Sequence, residues 1–368
     1  MPVGLGGTAL LVAACDLLPA RRVLECGRRL ILAVERGMSK LQLTFAAENS
    51  DRIRPLLDGR VPVEGIDLNY IPLEPEEAFW RMTQFLEFDV SEMSGTAYII
   101  ERSRPHPRFI AIPVFLSRMF RHNAIYVNER AGIRRPEDLR GRKVGLGEYN
   151  LTANVWIRGI LQHEYGVHPR EILWYVGGQE QPGRKERAEV RLPPDIRLQP
   201  IPPDETLNAM LARGDLDALI GPRMPPQVAR GEPGVRRLFD DPWSVEEEYY
   251  RRTRIFPIMH MVVIRQDVYE RQPWVAQSLY KALRRAKDVA LEAMYHTPAL
   301  RVSLPWLLRE LERTYQVMGT RDIFPYGLEE SRPTLEAMIQ YHVEQGLIPE
   351  PMTPESLFVP STLDEFRI

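Results

Sequence analysis

The chain has 368 residues, with 48 Lys+Arg against 50 Asp+Glu and a formal net charge of -2, so no global basic field argues for nucleic acid. Its 44% hydrophobic and 9% aromatic residues fit a globular protein with a large core, and the length suggests two domains or lobes. No apolar run is long enough to span a membrane, and both cysteines, Cys15 and Cys26, precede Met38. That excludes a cysteine nucleophile, a disulfide framework and a Cys-based zinc site from the body of the chain.

Val12-Ala13-Ala14-Cys15 resembles a lipoprotein cleavage box. A working secretion signal needs a positive n-region and a longer apolar stretch. Here no Lys or Arg precedes the box, and the short run contains Gly4, Gly6 and Gly7. The basic stretch from Arg21 to Arg36 follows, and then a clean strand begins after Met38. Residues 1–37 therefore read as upstream or disordered sequence, with translation from Met38 and a cytoplasmic location. Export as a lipoprotein through Cys15 is the alternative.

From there strands and helices alternate. Residues 41–46 form a strand and 51–57 a short helix. A strand follows at 66–71, then a helix at 74–84, with Pro75 in its first turn and Ala78, Phe79 and Met82 on one face. Residues 88–93 are a strand ending in Ser94-Gly95, and 96–101 start another helix. Strands at 109–114 and 124–127 lead into a polar connector, 128–140. Lys143-Val144-Gly145-Leu146 is a buried strand, Gly147 to Asn150 a turn, and Trp156, Ile157, Ile160, Leu161 and Tyr165 mark an amphipathic helix that Gly166 stops. Asn150 or Thr152 can cap it. Its free N–H groups offer a site for a carboxylate, although an ordinary strand–helix unit carries the same features. Residues 182–203 read as a long Pro-rich ordered loop, 207–211 as helix, and 216–220 and 259–264 as strands. From Val275 to about Gly346 the pattern is helical, broken at Pro298, Gly319 and Pro325. Such alternation predicts an α/β fold with largely parallel sheets.

HExxH, G-x-S-x-G and P-loop motifs are absent, and Gly145-Leu146-Gly147 lacks the third glycine of a dinucleotide fingerprint. Other segments carry a resemblance. They are Glu48-Asn49-Ser50-Asp51, Phe120-Arg121-His122-Asn123-Ala124-Ile125-Tyr126-Val127, and Asp138-Leu139-Arg140-Gly141-Arg142-Lys143-Val144-Gly145. They continue in Glu148-Tyr149, Val155-Trp156-Ile157-Arg158-Gly159, Leu161-Gln162-His163-Glu164-Tyr165-Gly166, Gly177-Gly178, Pro182-Gly183-Arg184, Gly214 to Ala218, and Phe256-Pro257-Ile258-Met259-His260. From about Met38 onward the chain resembles the 4,5-dihydroxyphthalate decarboxylase family, a branch of the type 2 periplasmic-binding-protein fold. The resemblance implies an α/β fold of two lobes joined by two crossing strands around a ligand cleft. Lobe 1 would be 38–128 plus 256–368, and lobe 2 would be 129–255. It implies decarboxylation of an aromatic dicarboxylate without a cofactor. The same fold also serves solute-binding proteins of ABC-type transporters, which is the alternative function.

Within that frame, His260 in an apolar strand and His122 are the candidate proton donors, since imidazole titrates near neutral pH. A core histidine with satisfied hydrogen bonds is the structural reading of the first. Arg118 and Arg121 offer planar forks to carboxylates. Glu48, Asn49 and Arg52 follow the first strand, Ser94 and Gly95 the third, and Glu148, Tyr149 and Thr152 form the turn of lobe 2. Arg184 and Arg223 are further cleft candidates. Ser94 and Thr152 also suit simple helix capping. His163 and His168 read as helix-end partners, and His106, His296 and His342 as structural. No residue set requires a cofactor; Glu48, Glu148 and the histidines are the donors that a divalent metal bridging two ring oxygens would use. The expected partner is a small aromatic carboxylate, with no nucleic acid and no membrane. Whether the chain forms a homo-oligomer stays open.

Overall fold

The computed structural model describes residues 40–183 and 192–363. The proposed extension, 1–37, and Arg184 lie outside the described residues. Among those described, eleven strands follow in chain order: β1 (Leu41–Ala47), β2 (Ile66–Pro72), β3 (Val90–Ser94), β4 (Phe109–Arg118), β5 (Ile125–Asn128), β6 (Lys143–Leu146), β7 (Leu173–Val176), β8 (Arg197–Pro200), β9 (Ala218–Ile220), β10 (Val235–Arg237) and β11 (Ile258–Arg265). Seven described helices have eight or more residues: α1 (Pro75–Phe85), α2 (Gly95–Arg102), α3 (Thr152–Tyr165), α4 (Pro242–Thr253), α5 (Val275–Met294), α6 (Leu307–Met318) and α7 (Arg332–Glu344). None is long and apolar enough to cross a membrane.

The strands form two sheets, ordered β2-β1-β3-β11-β4 and β10-β5-β9-β6-β7-β8. Apart from the first residues of β1 and β2, both belong to one compact unit. The sheets are mixed and not largely parallel. β1 and β3 run parallel, but β11 is antiparallel to β3 and β4. In the second sheet β6 is parallel to β7 and β9, while β5 is antiparallel to β9 and β10. The chain leaves the first sheet after β4 and returns to it at β11. Each strand that follows a passage enters from the opposite end, so it runs against its neighbours. This also corrects the expected boundary at 128: β5 pairs within the second sheet, so the first passage is complete by Ile125.

The helix expected to be amphipathic, α3, is buried from Thr152 through Leu161. On one side the Arg158 guanidinium lies 5.9 Å from the Trp174 ring of β7. The other meets α7, where a Cβ on Gly159 would lie 2.0 Å from the Tyr341 ring. Trp156 Nε1 donates to the Ile258 carbonyl at 2.8 Å. Neither Asn150 nor Thr152 caps α3; its N-cap is Leu151, without a side-chain bond. Gly166 ends it in the left-handed region at φ 64°, as its position predicts.

Candidate active site

β11 begins at the end of the first sheet where β3 stops. Register places His260 opposite Ser94 on β3 and opposite Ser117 on β4, and the β4 pairing shifts on both sides of His260. Such irregularities re-aim a side chain. His260 Nδ1 lies 2.7 Å from Glu92 Oε1. The other oxygen of Glu92 accepts the Glu48 amide at 2.9 Å. Glu92 is 2% exposed and the His260 side chain 21%. An ionised carboxylate only accepts, so Nδ1 carries a proton and Nε2 is the nitrogen left to exchange one. The edge of Phe79 packs against the imidazole, with centroids 4.9 Å apart.

Beside this pair the lobes are clasped. Thr152 Oγ1 lies 2.9 Å from Ser94 Oγ and accepts the Thr96 amide at 3.1 Å. Thr96 Oγ1 is 3.0 Å from His342 Nε2, and His342 Nδ1 is 2.6 Å from the Met338 carbonyl. Burial lowers the pKa of His342 to about 4. The ring is therefore neutral, Nδ1 donates to Met338, and Nε2 accepts from Thr96.

A cavity of about 340 Å³ is lined by Glu76, Gly147, Leu151, Gly178, Gln179 and Arg223, among others. Glu76 is one turn before Phe79 on α1, and Leu151 precedes Thr152, so neighbours of the His260 pair and of the clasp line the cavity, while His260, Glu92, Ser94 and Thr152 themselves do not. Its volume suits a small aromatic acid. Arg223, one of the lining residues, lies 3.3 Å from Glu76 and 3.5 Å from Glu180. A larger cavity of about 470 Å³ lies between α4 and α6 and is lined by none of the predicted residues.

The other predicted residues disperse. Arg118 is held by the Phe256 and Pro325 carbonyls and Ser331 Oγ, and burial lowers its pKa to about 9. Its fork serves the interior of lobe 1. Arg52 pairs with Asp51, donates to the Leu116 carbonyl and stacks on Phe324 at 4.1 Å. Arg121 is different: it is 6% exposed, its Nε points at Met259 Sδ at 3.2 Å, and no carboxylate among the described residues is in ion-pair contact with it, although the Glu246 carboxyl acts on it electrostatically. Burial lowers its pKa to about 10. His122 lies among aromatic rings, 5.0 Å from Tyr249 and 5.7 Å from Phe239, and burial lowers its pKa to about 4. Glu48 offers its backbone to Glu92 while its side chain is exposed, as is Asn49. Gly95 permits close approach, since a Cβ there would lie 2.6 Å from Met338 Cε. Glu148 is buried, and its carbonyl accepts Asn154 Nδ2 at 2.8 Å. Tyr149 is fully buried, with the Arg158 guanidinium 3.7 Å above its ring. Among the described residues no three His, Cys, Asp or Glu side chains are grouped to hold a metal ion, so the donors named for a metal are not assembled there.

Glu92, Asn154 and Gln179 escaped the sequence reading. A single Glu in a strand reads as a solvent-facing position. Only the insertion of β11 beside β3 brings Glu92 to His260.

No family model matches the chain. A 4,5-dihydroxyphthalate decarboxylase from Comamonas testosteroni is 39% identical over 331 residues, covering 90% of this chain and 100% of that protein. A protein of the same name from Pseudomonas putida is 41% identical over 214 residues, 58% of this chain and 83% of that protein. Among solved structures, the periplasmic aliphatic sulphonate binding protein SsuA from Escherichia coli matches with a TM-score of 0.51 at 13% identity, over 88% of this chain and 99% of that one. That likeness shows the two-lobed periplasmic-binding-protein-like fold and says nothing of function. The sequence likeness goes further: this chain belongs to the 4,5-dihydroxyphthalate decarboxylase family.

Proposed function

We propose that this protein decarboxylates 4,5-dihydroxyphthalate, or a close analogue, to protocatechuate and carbon dioxide, with His260 as the proton donor. The observation that carries the reading is the Glu92–His260 pair at 2.7 Å beside the cleft, in a chain of this family. Each carboxylate of the substrate has a ring hydroxyl para to it. That hydroxyl pushes electron density to the carbon bearing the departing group, and protonated His260 delivers a proton there from Nε2. The C–C bond then breaks, its electron pair restores the aromatic ring, and CO₂ leaves. Glu92 holds Nδ1–H and stabilises the imidazolium before transfer. A positioned acid contributes roughly 10²–10⁴-fold, about 3–5 kcal/mol, so positioning and electrostatics must supply the rest.

A guanidinium clamped on the departing carboxylate would stabilise the ground state and slow its loss. Arg121 is therefore assigned to the carboxylate that stays; its burial with no carboxylate in ion-pair contact among the described residues, one residue along from His260 at Met259, supports this, with Glu246 acting on it only at longer range. Arg118 drops out, since carbonyls and a hydroxyl already occupy it. His122 drops out as the acid, because a ring with a pKa of about 4 carries no proton to give at neutral pH. The test is the purified chain with 4,5-dihydroxyphthalate, following protocatechuate and CO₂ by chromatography. One CO₂ per protocatechuate is the expected result. Thermal stabilisation by the compound without turnover would move the assignment to a solute-binding protein.

A further inference from the structure

Two side-chain oxygens, one on the cavity-lining Gln179 and one behind it on Asn154, have no donor among the described residues. Asn154, on α3, is 0% exposed. Its Nδ2 donates to the Glu148 carbonyl at 2.8 Å, which fixes the amide orientation, because a flip would set one carbonyl against another. Its Oδ1 is then buried with no partner. Gln179 is fixed in the same way: Nε2 donates to the Arg223 carbonyl at 2.7 Å and faces Asn208 Oδ1 at 3.4 Å. Among the described residues no donor reaches its Oε1. Both oxygens converge on Gly221, where a Cβ would lie 3.4 Å from Gln179 Oε1 and 3.9 Å from Asn154 Oδ1. Gln179, Pro222 and Arg223 line the cavity. The Asn154 oxygen is buried, the Gln179 oxygen is on a half-buried side chain, and a buried acceptor without a donor is rare and calls for an explanation.

We infer that Asn154 and Gln179 are the receptor for two adjacent hydroxyls of an aromatic ring, with Gly221 leaving the room for them. A carboxylate cannot serve, since it brings no proton. A single hydroxyl reaches only one of the two acceptors. A vicinal diol supplies two O–H donors side by side. This deepens the proposed function and rests on it for the identity of the ring. It also gives the receptor a part in the reaction, because a phenol donating to a carbonyl becomes a better electron source for the carbon para to it. The inference makes Asn154 and Gln179 specificity-determining residues.

The experiment is calorimetric titration of the full chain with protocatechuate, 3-hydroxybenzoate and 4-hydroxybenzoate, which needs no turnover. Wild type should bind the diol at least tenfold more tightly than either mono-hydroxy acid, because a site built for hydroxyls rejects analogues that lack one. In Asn154→Ala, Gln179→Ala and Gly221→Ala the preference should fall below threefold, with melting temperatures recorded for each. Should Asn154→Ala fail to fold, the other two decide. No preference in wild type, or a preference kept by folded variants, overturns the inference. A preference that behaves as stated in a chain that releases no CO₂ from 4,5-dihydroxyphthalate leaves the receptor standing and overturns the decarboxylase reading.

Discussion

A histidine acts as an acid only when its other nitrogen is held. Glu92 does this from a position 2% exposed, with its second oxygen tied to the Glu48 amide. Glu92→Gln keeps the size and removes the charge that favours the imidazolium. We expect kcat to fall about 10²-fold, the scale of acid–base catalysis, with KM changed little. Steady-state kinetics on 4,5-dihydroxyphthalate check this; an unchanged kcat would leave Glu92 a packing residue. His260 was legible in the sequence as an imidazole in an apolar strand. Its partner was not, because the register His260↔Ser94 is a contact between residues far apart in the chain. The same holds for Arg118 and Arg121, three apart in sequence. One ends β4 and is consumed by Phe256, Pro325 and Ser331; the other lies beyond the strand with no carboxylate in ion-pair contact among the described residues. Spacing alone could not separate them.

Among the elements, local patterning served well where a segment pays its own way. α3 with its Gly166 stop, β1, β2 and the α1 start at Pro75 all followed from period and punctuation. Short or edge elements did not. β10 has three residues, β8 lies at the edge of its sheet within the Pro-rich segment, and α4 was not foreseen. Their stability comes from neighbours, not from their own pattern. The buried character of α3 was hidden too, because its second apolar face exists only for α7. Gly159 makes this testable. In an exposed helix interior, Gly→Ala gains about 1 kcal/mol. Here the new Cβ would meet Tyr341 at 2.0 Å. Gly159→Ala should instead cost about 3 kcal/mol, as overpacking does, seen as a lower melting temperature. A rise in melting temperature would show that α3 and α7 do not pack as described.

At the scale of the molecule, three buried titratable groups set an acid response. His122 and His342 have pKa values lowered by burial to about 4 from 6.5. The unfolded chain holds these protons more tightly, so the stability they permit is complete above about pH 6.5 and is lost as pH falls toward 4. Glu246, raised by burial to about 7 from 4.5, acts in the opposite sense: its contribution is present below about pH 4.5 and is lost as pH rises through 7. Each group changes stability by about 1.4 kcal/mol per pH unit within its window. Between pH 6.5 and 4.5 two losses meet one gain, so these groups predict a net fall of about 1.4 kcal/mol per unit on acidification. Urea midpoints at pH 6.5, 5.5 and 4.5 check the slope, and a folded His342→Gln variant should flatten it. Stability that rises on acidification would contradict the burial of the histidines.

The central claim is that His260 protonates the ring as CO₂ leaves. The most direct measurement is the turnover of 4,5-dihydroxyphthalate by wild type and His260→Gln, with substrate binding measured on both. The account predicts that the variant still binds and folds but loses at least 10²-fold in kcat, in line with the removal of one positioned acid. A variant that releases protocatechuate within threefold of the wild-type rate would show that the proton comes from elsewhere.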